Sequence, residues 1–510
     1  MKKNINVLYP VIYHDVWFHI ARKAYEEHRW NPVYMVSELK YENKIREIFP
    51  DAVFHDRNKA VVGMPSDDHN GMIDIPSIDQ DYLKKFKYHE SNVLLSFDRF
   101  DSNNSFTYRE RVYYYHKMLR YWTGVLKHYK PDLVLFPTVP HMGYDYVIYM
   151  LCKEMDIKTG MFLEIPLGKL ILTENYTDHF PVWDAYKKYI KSNTEVELTA
   201  ELESYLSNLT GDYKNAVPYF MKPYEVNILN AKYKGMAKYL KRQAKWAVRD
   251  IGDFLNNKPR TTDSKLKDKG WNVMITSRDE RAYLKYAIRK RKELNKYYLE
   301  HVKQFDKNKK YIYIPLQYQP EETSCPRGEV YAHQYLLLDI VSKCIPNDWK
   351  LYVKEHPLQF NSMLKAIRSR DLFDYEHMLD IPKVSFLDPS VPTFELIDNA
   401  QAVATMTGTG GWEAVNRGIP VLLFGHPWYK GCEGTFYTPT VKSCKSALKT
   451  IMNGYKPDRN KVRLFAGIAD KIGVRATDEL LTAREFQISD EISAENMLHY
   501  IVKTFSKKLK

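Results

Sequence analysis

"VATMTGTGGWEAVNRGIPVLLFG", residues 403–425, passes from one short apolar run to another through a threonine- and glycine-rich loop and a brief helical stretch. Short apolar runs bounded by turn residues read as strands buried on both faces. Strand, loop, helix and strand in succession is the unit that builds a parallel sheet. Ligands of such sheets sit beyond the carboxyl ends of the strands, so the loop occupies a binding position. Backbone N–H groups around Gly408, Gly410 and Gly411, the hydroxyls of Thr407 and Thr409, and the free N–H groups of a helix starting near Trp412 together suit an anion. A glycine-rich turn that only lets helix and strand pack closely looks the same, so the loop takes its meaning from its neighbours.

The same alternation runs through most of the chain. "INVLYPV", "NPVYMVS", "DLVLFPT" and "KTGMFLEI" in the first half, and "KYIYIPLQ", "WKLYVKEHP", "VSFLD", "QAVATMT" and "IPVLLFG" in the second, are strand-like segments separated by helical patterns. This predicts an α/β chain of two Rossmann-like doubly wound domains facing a central cleft, and 510 residues suit such a division. The expected boundaries are an acceptor-side domain over 1–225, a basic helical segment and linker over 226–305, a nucleotide-binding domain over 306–475 and closing helices over 476–510.

Composition narrows the function classes. The chain is 44% hydrophobic and 27% charged, the balance of a globular protein with sizeable cores. Its five cysteines form no CxxC pair, which reads as reduced thiols and argues against a zinc site. The N-terminus lacks a signal-peptide pattern, and no run approaches the ~18 apolar residues of a spanning helix. The expectation is a cytoplasmic protein, peripheral at the inner membrane if it touches lipid.

The formal net charge of +13 calls for an anionic partner. Much of it lies in 227–255, where Leu229, Tyr233, Met236, Leu240 and Trp246 recur near helical spacing with Lys232, Lys234, Lys238, Lys241, Arg242 and Lys245 around them. That pattern suits an interfacial helix on anionic lipid, and equally a solvated basic face. No interleaved aromatic and basic platform for nucleic acid is present, so nucleic acid is not expected as a partner.

Residues that follow the strands carry the chemistry. Gln317, Glu321 and Glu322 follow "YIYIPL", and "KEHP" places Lys354 and His356 after "WKLYV". A lysine offers a phosphate a point charge, and a histidine beside it offers a donor or acid. A second His-Pro pair, His426 and Pro427, has no adjacent lysine in sequence, so His356 is preferred. Glu413, in the first turn after the loop, suits the two hydroxyls of a ribose, or simply the helix dipole. In the first half "PTVPHMGYD" supplies His141 and Asp145, and "EIPLGK" supplies Glu164. These are the candidate catalytic base or nucleophile, ranked Glu164, Asp145, His141, with His14 a further candidate. Asp145 alternatively caps the helix that follows. No DxD element follows a strand, so neither metal nor other cofactor is expected.

"PLQYQPEETSCPRG", "KEHP" and "TGTGGWEAVNRGIPVLLFGHPWY", in this order, resemble the capsule-polysaccharide biosynthesis family, which includes Kdo transferases of capsule assembly. The resemblance covers about the last third of the chain and implies a GT-B glycosyltransferase with a CMP-sugar donor and a glycan or lipid-linked glycan acceptor. It further implies that Lys354 and His356 contact the donor phosphate, that Thr407, Gly408, Thr409, Gly410 and Gly411 line its loop, that Glu413 lies near the ribose, and that the tail crosses back to the first domain. The His-Pro element is also similar to that of bacterial sialyltransferases and CDP-glycerol glycerophosphotransferases. A CDP-glycerol-type polyol-phosphate transferase is therefore the alternative enzyme, and a non-catalytic basic binding module the alternative class.

Overall fold

Two sheets organise the chain in the computed structural model, which describes residues 4–509 except 62, 70–72, 100, 102–105, 178–180, 193–195, 213–215, 217–276, 362–368 and 478–479. The basic segment 227–255 therefore lies outside the described residues. The first sheet contains β1 (Ile5–Ile12), β2 (Trp30–Ser37), β3 (Val53–Asp56), β4 (Leu133–Phe136), β5 (Lys158–Ile165) and β6 (Lys169–Thr173). The second contains β7 (Tyr311–Pro315), β8 (Lys350–Lys354), β9 (Val384–Phe386), β10 (Ala402–Thr405), β11 (Val421–Leu423) and β12 (Thr435–Tyr437). A two-residue strand β13 (Val474–Arg475) returns to the first sheet, giving the orders β13-β6-β5-β4-β1-β2-β3 and β12-β11-β10-β7-β8-β9.

All pairings in the second sheet are parallel, and β1 to β5 are parallel in the first. Side chains alternate across each sheet as strand geometry requires. Ile312 and Ile314 pack under Leu338 and Leu448 on one face of the second sheet, while Tyr311 and Tyr313 join the core that holds Trp412 and Phe465 on the other. Burial on both faces explains why these strands read as continuous apolar runs. This is the two-domain doubly wound architecture, of GT-B type, that the sequence predicts.

The domains exchange elements. Helices Pro181–Ser192 and Ala200–Thr210, from the first half of the chain, pack on helices Thr409–Asn416 and Arg459–Ile472 of the second. Tyr186 meets Phe465 edge-on at 5.2 Å, and the Trp412 indole donates to the Tyr205 hydroxyl at 3.1 Å. In return, helix Asp490–Phe505 packs on helix Asp15–His28, and Phe505 closes against Gly160 of β5. Among the described residues no helix is long and apolar enough to cross a membrane.

Candidate functional site

Three neighbouring strands, β10, β7 and β8, end at one edge of the second sheet, so the segments after them open onto one cleft. A cavity of about 190 Å³ there is lined by Gln317, Glu321, Lys354, His356, Glu413 and the loop Thr407–Gly410. Helix Thr409–Asn416 begins in this cavity with Gly408, a residue without a side chain to cap it, at its N-cap. Its first N–H groups and the positive end of its dipole therefore face the cleft.

The loop is built by its own side chains. The Gln317 amide donates to Thr407 Oγ1 at 2.8 Å, and that hydroxyl donates in turn to the Thr323 carbonyl. Its only proton is committed, so an anion would be held by backbone N–H groups and Thr409 rather than by the Thr407 hydroxyl. Gln334 fixes Gln317 by bonding both its N–H and its carbonyl, at 2.8 and 3.0 Å. Gly411 lies outside the cavity lining, and a Cβ there would fall 2.3 Å from the Tyr429 hydroxyl, which donates to the Gly408 carbonyl.

Lys354 is 6% exposed and donates to the Val391 carbonyl at 2.9 Å and Thr393 Oγ1 at 2.7 Å. Burial pulls its ammonium down to about 8, against the opposing charge of Glu413. Glu413, also 6% exposed, is pushed up to about 7 by burial, with Lys354 and Arg417 working the other way. His356 Nδ1 accepts the Leu358 N–H at 3.2 Å, which leaves the proton of the neutral ring on Nε2. Burial, with the Lys354 charge, holds the ring down to about 4, so at neutral pH it is an uncharged donor.

Glu355, between these two, touches the cavity wall, but its carboxylate is committed to the interior. Its carboxylate accepts from Arg370 Nε at 3.1 Å, the Tyr375 hydroxyl at 2.8 Å and the His356 N–H at 2.7 Å, all in the interior. Glu322 also serves the scaffold, pairing at 3.3 Å with Arg327, which donates to the His426 carbonyl. Glu321 lines the cleft.

Across the cleft, Arg99 reaches from the first domain to the Cys325 carbonyl at 2.9 Å, and Glu321, Glu322 and Asp145 all lie within its field. Arg99 thus stands between Asp145, in the segment after β4, and the 321–325 loop. His141 Nδ1 donates to the Val139 carbonyl at 2.7 Å, which makes Nε2 the basic nitrogen. Asp145 is buried, accepts the N–H groups of His141, Met142 and Tyr146, and is pushed up to about 6 by burial. It does not cap the helix Tyr144–Glu154, whose N-cap is Gly143, but ties the 141–142 turn to that helix's first turn. Glu164 is placed elsewhere: β5 runs past the edge of the sheet into an antiparallel hairpin with β6, and Glu164 is exposed there and accepts from Thr482 at 3.2 Å. The rule that function follows the strand end misleads where a strand continues. His14 lies within the fields of Lys40 and Asp490, toward the closing helix.

Several participants escape a reading by strand ends. Arg370, Gln334 and Thr393 lie on helices or loops with no local signal. His426 does have a lysine partner, but on the next turn: Lys430 Nζ is 2.9 Å from its Nδ1.

Residues 275–444 match the family model for capsule polysaccharide biosynthesis proteins, a span that includes every donor-side residue of this cleft. Comparison with curated proteins finds no match. Among solved structures the chain is similar to a beta Kdo 2,7 transferase, KpsC, of Thermosulfurimonas dismutans, at 14% identity over 84% of this chain and 97% of that one, with a TM-score of 0.27. It is also similar to UDP-GlcNAc 2-epimerase of Methanocaldococcus jannaschii, at 12% identity over 92% and 99%, with a TM-score of 0.24.

Proposed function

We propose that this chain is a glycosyltransferase of surface-polysaccharide synthesis that takes a sugar, Kdo or a related ulosonic acid, from a CMP-activated donor and passes it to a glycan or lipid-linked glycan. The family match supports the polysaccharide context. One observation carries the reading: Lys354, His356, Glu413 and a helix N-terminus meet in one cleft beyond the ends of β10, β7 and β8.

In this reading the helix N–H groups and Lys354 hold the donor phosphate, and Glu413 accepts from the ribose hydroxyls. As the anomeric C–O bond breaks, charge grows on the departing phosphate. His356 Nε2–H donates to it, and a donor placed where charge develops is what lowers a barrier. His141 Nε2, from the facing domain, is the base for the acceptor hydroxyl, and Asp145 holds the loop that presents it. Lys354 and the helix supply the positive charge that a monophosphate needs, so turnover is expected without added magnesium. Segment 227–255 is proposed to dock on anionic lipid beside the acceptor.

A thermal-shift titration tests the donor. CMP or a CMP-sugar should protect the protein at concentrations at least tenfold below CDP-glycerol. Tighter protection by CDP-glycerol would instead make it a polyol-phosphate transferase.

A further inference from the structure

Behind the 321–329 segment, one strand from the phosphate loop, a second polar cluster joins the two domains. The strand ends touch there: a Cβ on Gly425, just past β11, would lie 3.0 Å from Thr407 Cγ2. His426, the next residue, is 4% exposed. Lys430 Nζ lies 2.9 Å from its Nδ1, and an ammonium only donates, so the ring proton is on Nε2. That N–H points toward Glu329 Oε1 but stops at 3.5 Å, without a well-formed hydrogen bond among the described residues. The other carboxylate oxygen accepts from the Tyr88 hydroxyl, in the first domain, at 2.9 Å.

Glu329 is also held in a costly backbone conformation, φ 48°, in the left-handed region. Strain of this kind persists where the surroundings impose it, and it collects at ligand sites. Around the carboxylate stand aromatic rings from both domains. Tyr88 is 55% exposed and Tyr437 37% exposed, with Lys430 Nζ 3.8 Å over the Tyr437 ring, and Tyr176 meets His426 edge-on at 6.1 Å.

We propose that Glu329, Tyr88 and Tyr437 form a subsite for one pyranose unit of the acceptor glycan, with His426 and Lys430 as positioning residues for the carboxylate. The inference rests on the glycosyltransferase reading. A pyranose offers a ring face of C–H groups, which packs on a tyrosine, and adjacent hydroxyls, which a carboxylate takes with its two oxygens. A lipid chain would need a continuous apolar groove, whereas here a charge is set between separate rings. The site is formed only when both domains are in place, one strand from the donor phosphate.

The test uses the full-length chain on a printed array of defined bacterial capsular and lipopolysaccharide oligosaccharides, with CMP protection measured in parallel. The wild type should retain at least one glycan. Tyr88→Ala and Glu329→Gln should each weaken that retention tenfold or more, Tyr88→Phe less, and His426→Gln should weaken it while CMP protection stays within twofold. Unchanged CMP protection also shows that each variant is folded. The subsite is overturned if the wild type retains no glycan, or if retention is unchanged in both Tyr88→Ala and Glu329→Gln. Loss of CMP protection in the wild type alone would sink the donor reading and leave the glycan result standing.

Discussion

Arg370 Nε lies 3.1 Å from Glu355 Oε2, with side-chain exposures of 2% and 0%, directly behind the backbone that presents Lys354 and His356. A buried ion pair gains little over apolar groups of the same size, but removing one partner strands the other charge and typically costs about 3–5 kcal/mol. Arg370→Met should therefore lower unfolding free energy by about that much in urea titration, and the double variant Glu355→Gln/Arg370→Met should recover part of it. Equal destabilisation in the two would mean that the loss is one of packing, not of charge.

His356 separates stability from chemistry. Among the described residues its ring accepts one hydrogen bond, from the Leu358 N–H, and lies beside the Tyr318 ring, and losing one such hydrogen bond costs about 0.5–1.5 kcal/mol. A donor aimed at the departing phosphate is worth ~100-fold to 10,000-fold in rate. His356→Ala should thus cut turnover far more than it lowers thermal stability. A turnover loss below tenfold would place the phosphate at another strand end.

The paired shifts of Glu413 and Lys354 define a pH window. Below about 7 the Glu413 carboxylate takes up a proton and can no longer accept from both ribose hydroxyls. Above about 8 Lys354 loses its charge. The profile of kcat/KM for the donor, which reports the free enzyme, should be bell-shaped between these limits. Glu413→Gln should remove the acid limb and Lys354→Met the alkaline one, so an unaltered acid limb in Glu413→Gln would assign it to another group.

What the sequence made legible was periodicity. Short apolar runs ending in polar residues locate β7, β8 and β10, and parallel neighbours bring Gln317, Lys354 and the threonine loop to one edge. What it concealed depends on tertiary pairing. Glu355 and Glu413 are both glutamates near strand ends that touch the cavity, yet Arg370, fifteen residues on in sequence, ties the Glu355 carboxylate into the interior as an anchor. Glu164 follows an apolar run like the others, but its strand folds back into a hairpin. The Tyr88–Glu329 bond spans 241 residues and has no local trace.

Acid should destabilise the first domain through two interior histidines. His55 Nδ1 and His69 Nε2 both meet the Tyr34 hydroxyl, at 2.8 and 3.2 Å, and burial holds the rings down to about 3 and about 4. In the unfolded chain each takes a proton near 6.5, whereas the folded state refuses it. Stability is therefore complete above about 6.5 and falls as pH drops toward 4, by up to about 1.4 kcal/mol per pH unit for each histidine. Urea midpoints between pH 7 and 4.5 should show this fall, and His69→Gln should flatten it. An unchanged slope in His69→Gln would assign the acid sensitivity to other groups.

Gly411 and Tyr429 are coupled through a single oxygen. A methyl at 411 would sit 2.3 Å from the Tyr429 hydroxyl and 3.1 Å from its Cζ, so Gly411→Ala must push the ring aside and break its bond to the Gly408 carbonyl. Overpacking of this kind costs about 1–3 kcal/mol. Because Gly408 is the N-cap of the helix that faces the cleft, CMP protection should weaken along with stability. Adding Tyr429→Phe removes the atom that clashes first, so Gly411→Ala/Tyr429→Phe should be more stable than the sum of the two single losses predicts. Its CMP protection should stay weak, since the Gly408 carbonyl has lost the hydroxyl that tethered it. Additive losses in denaturation would show that the ring moves freely and that the glycine is not there to admit it.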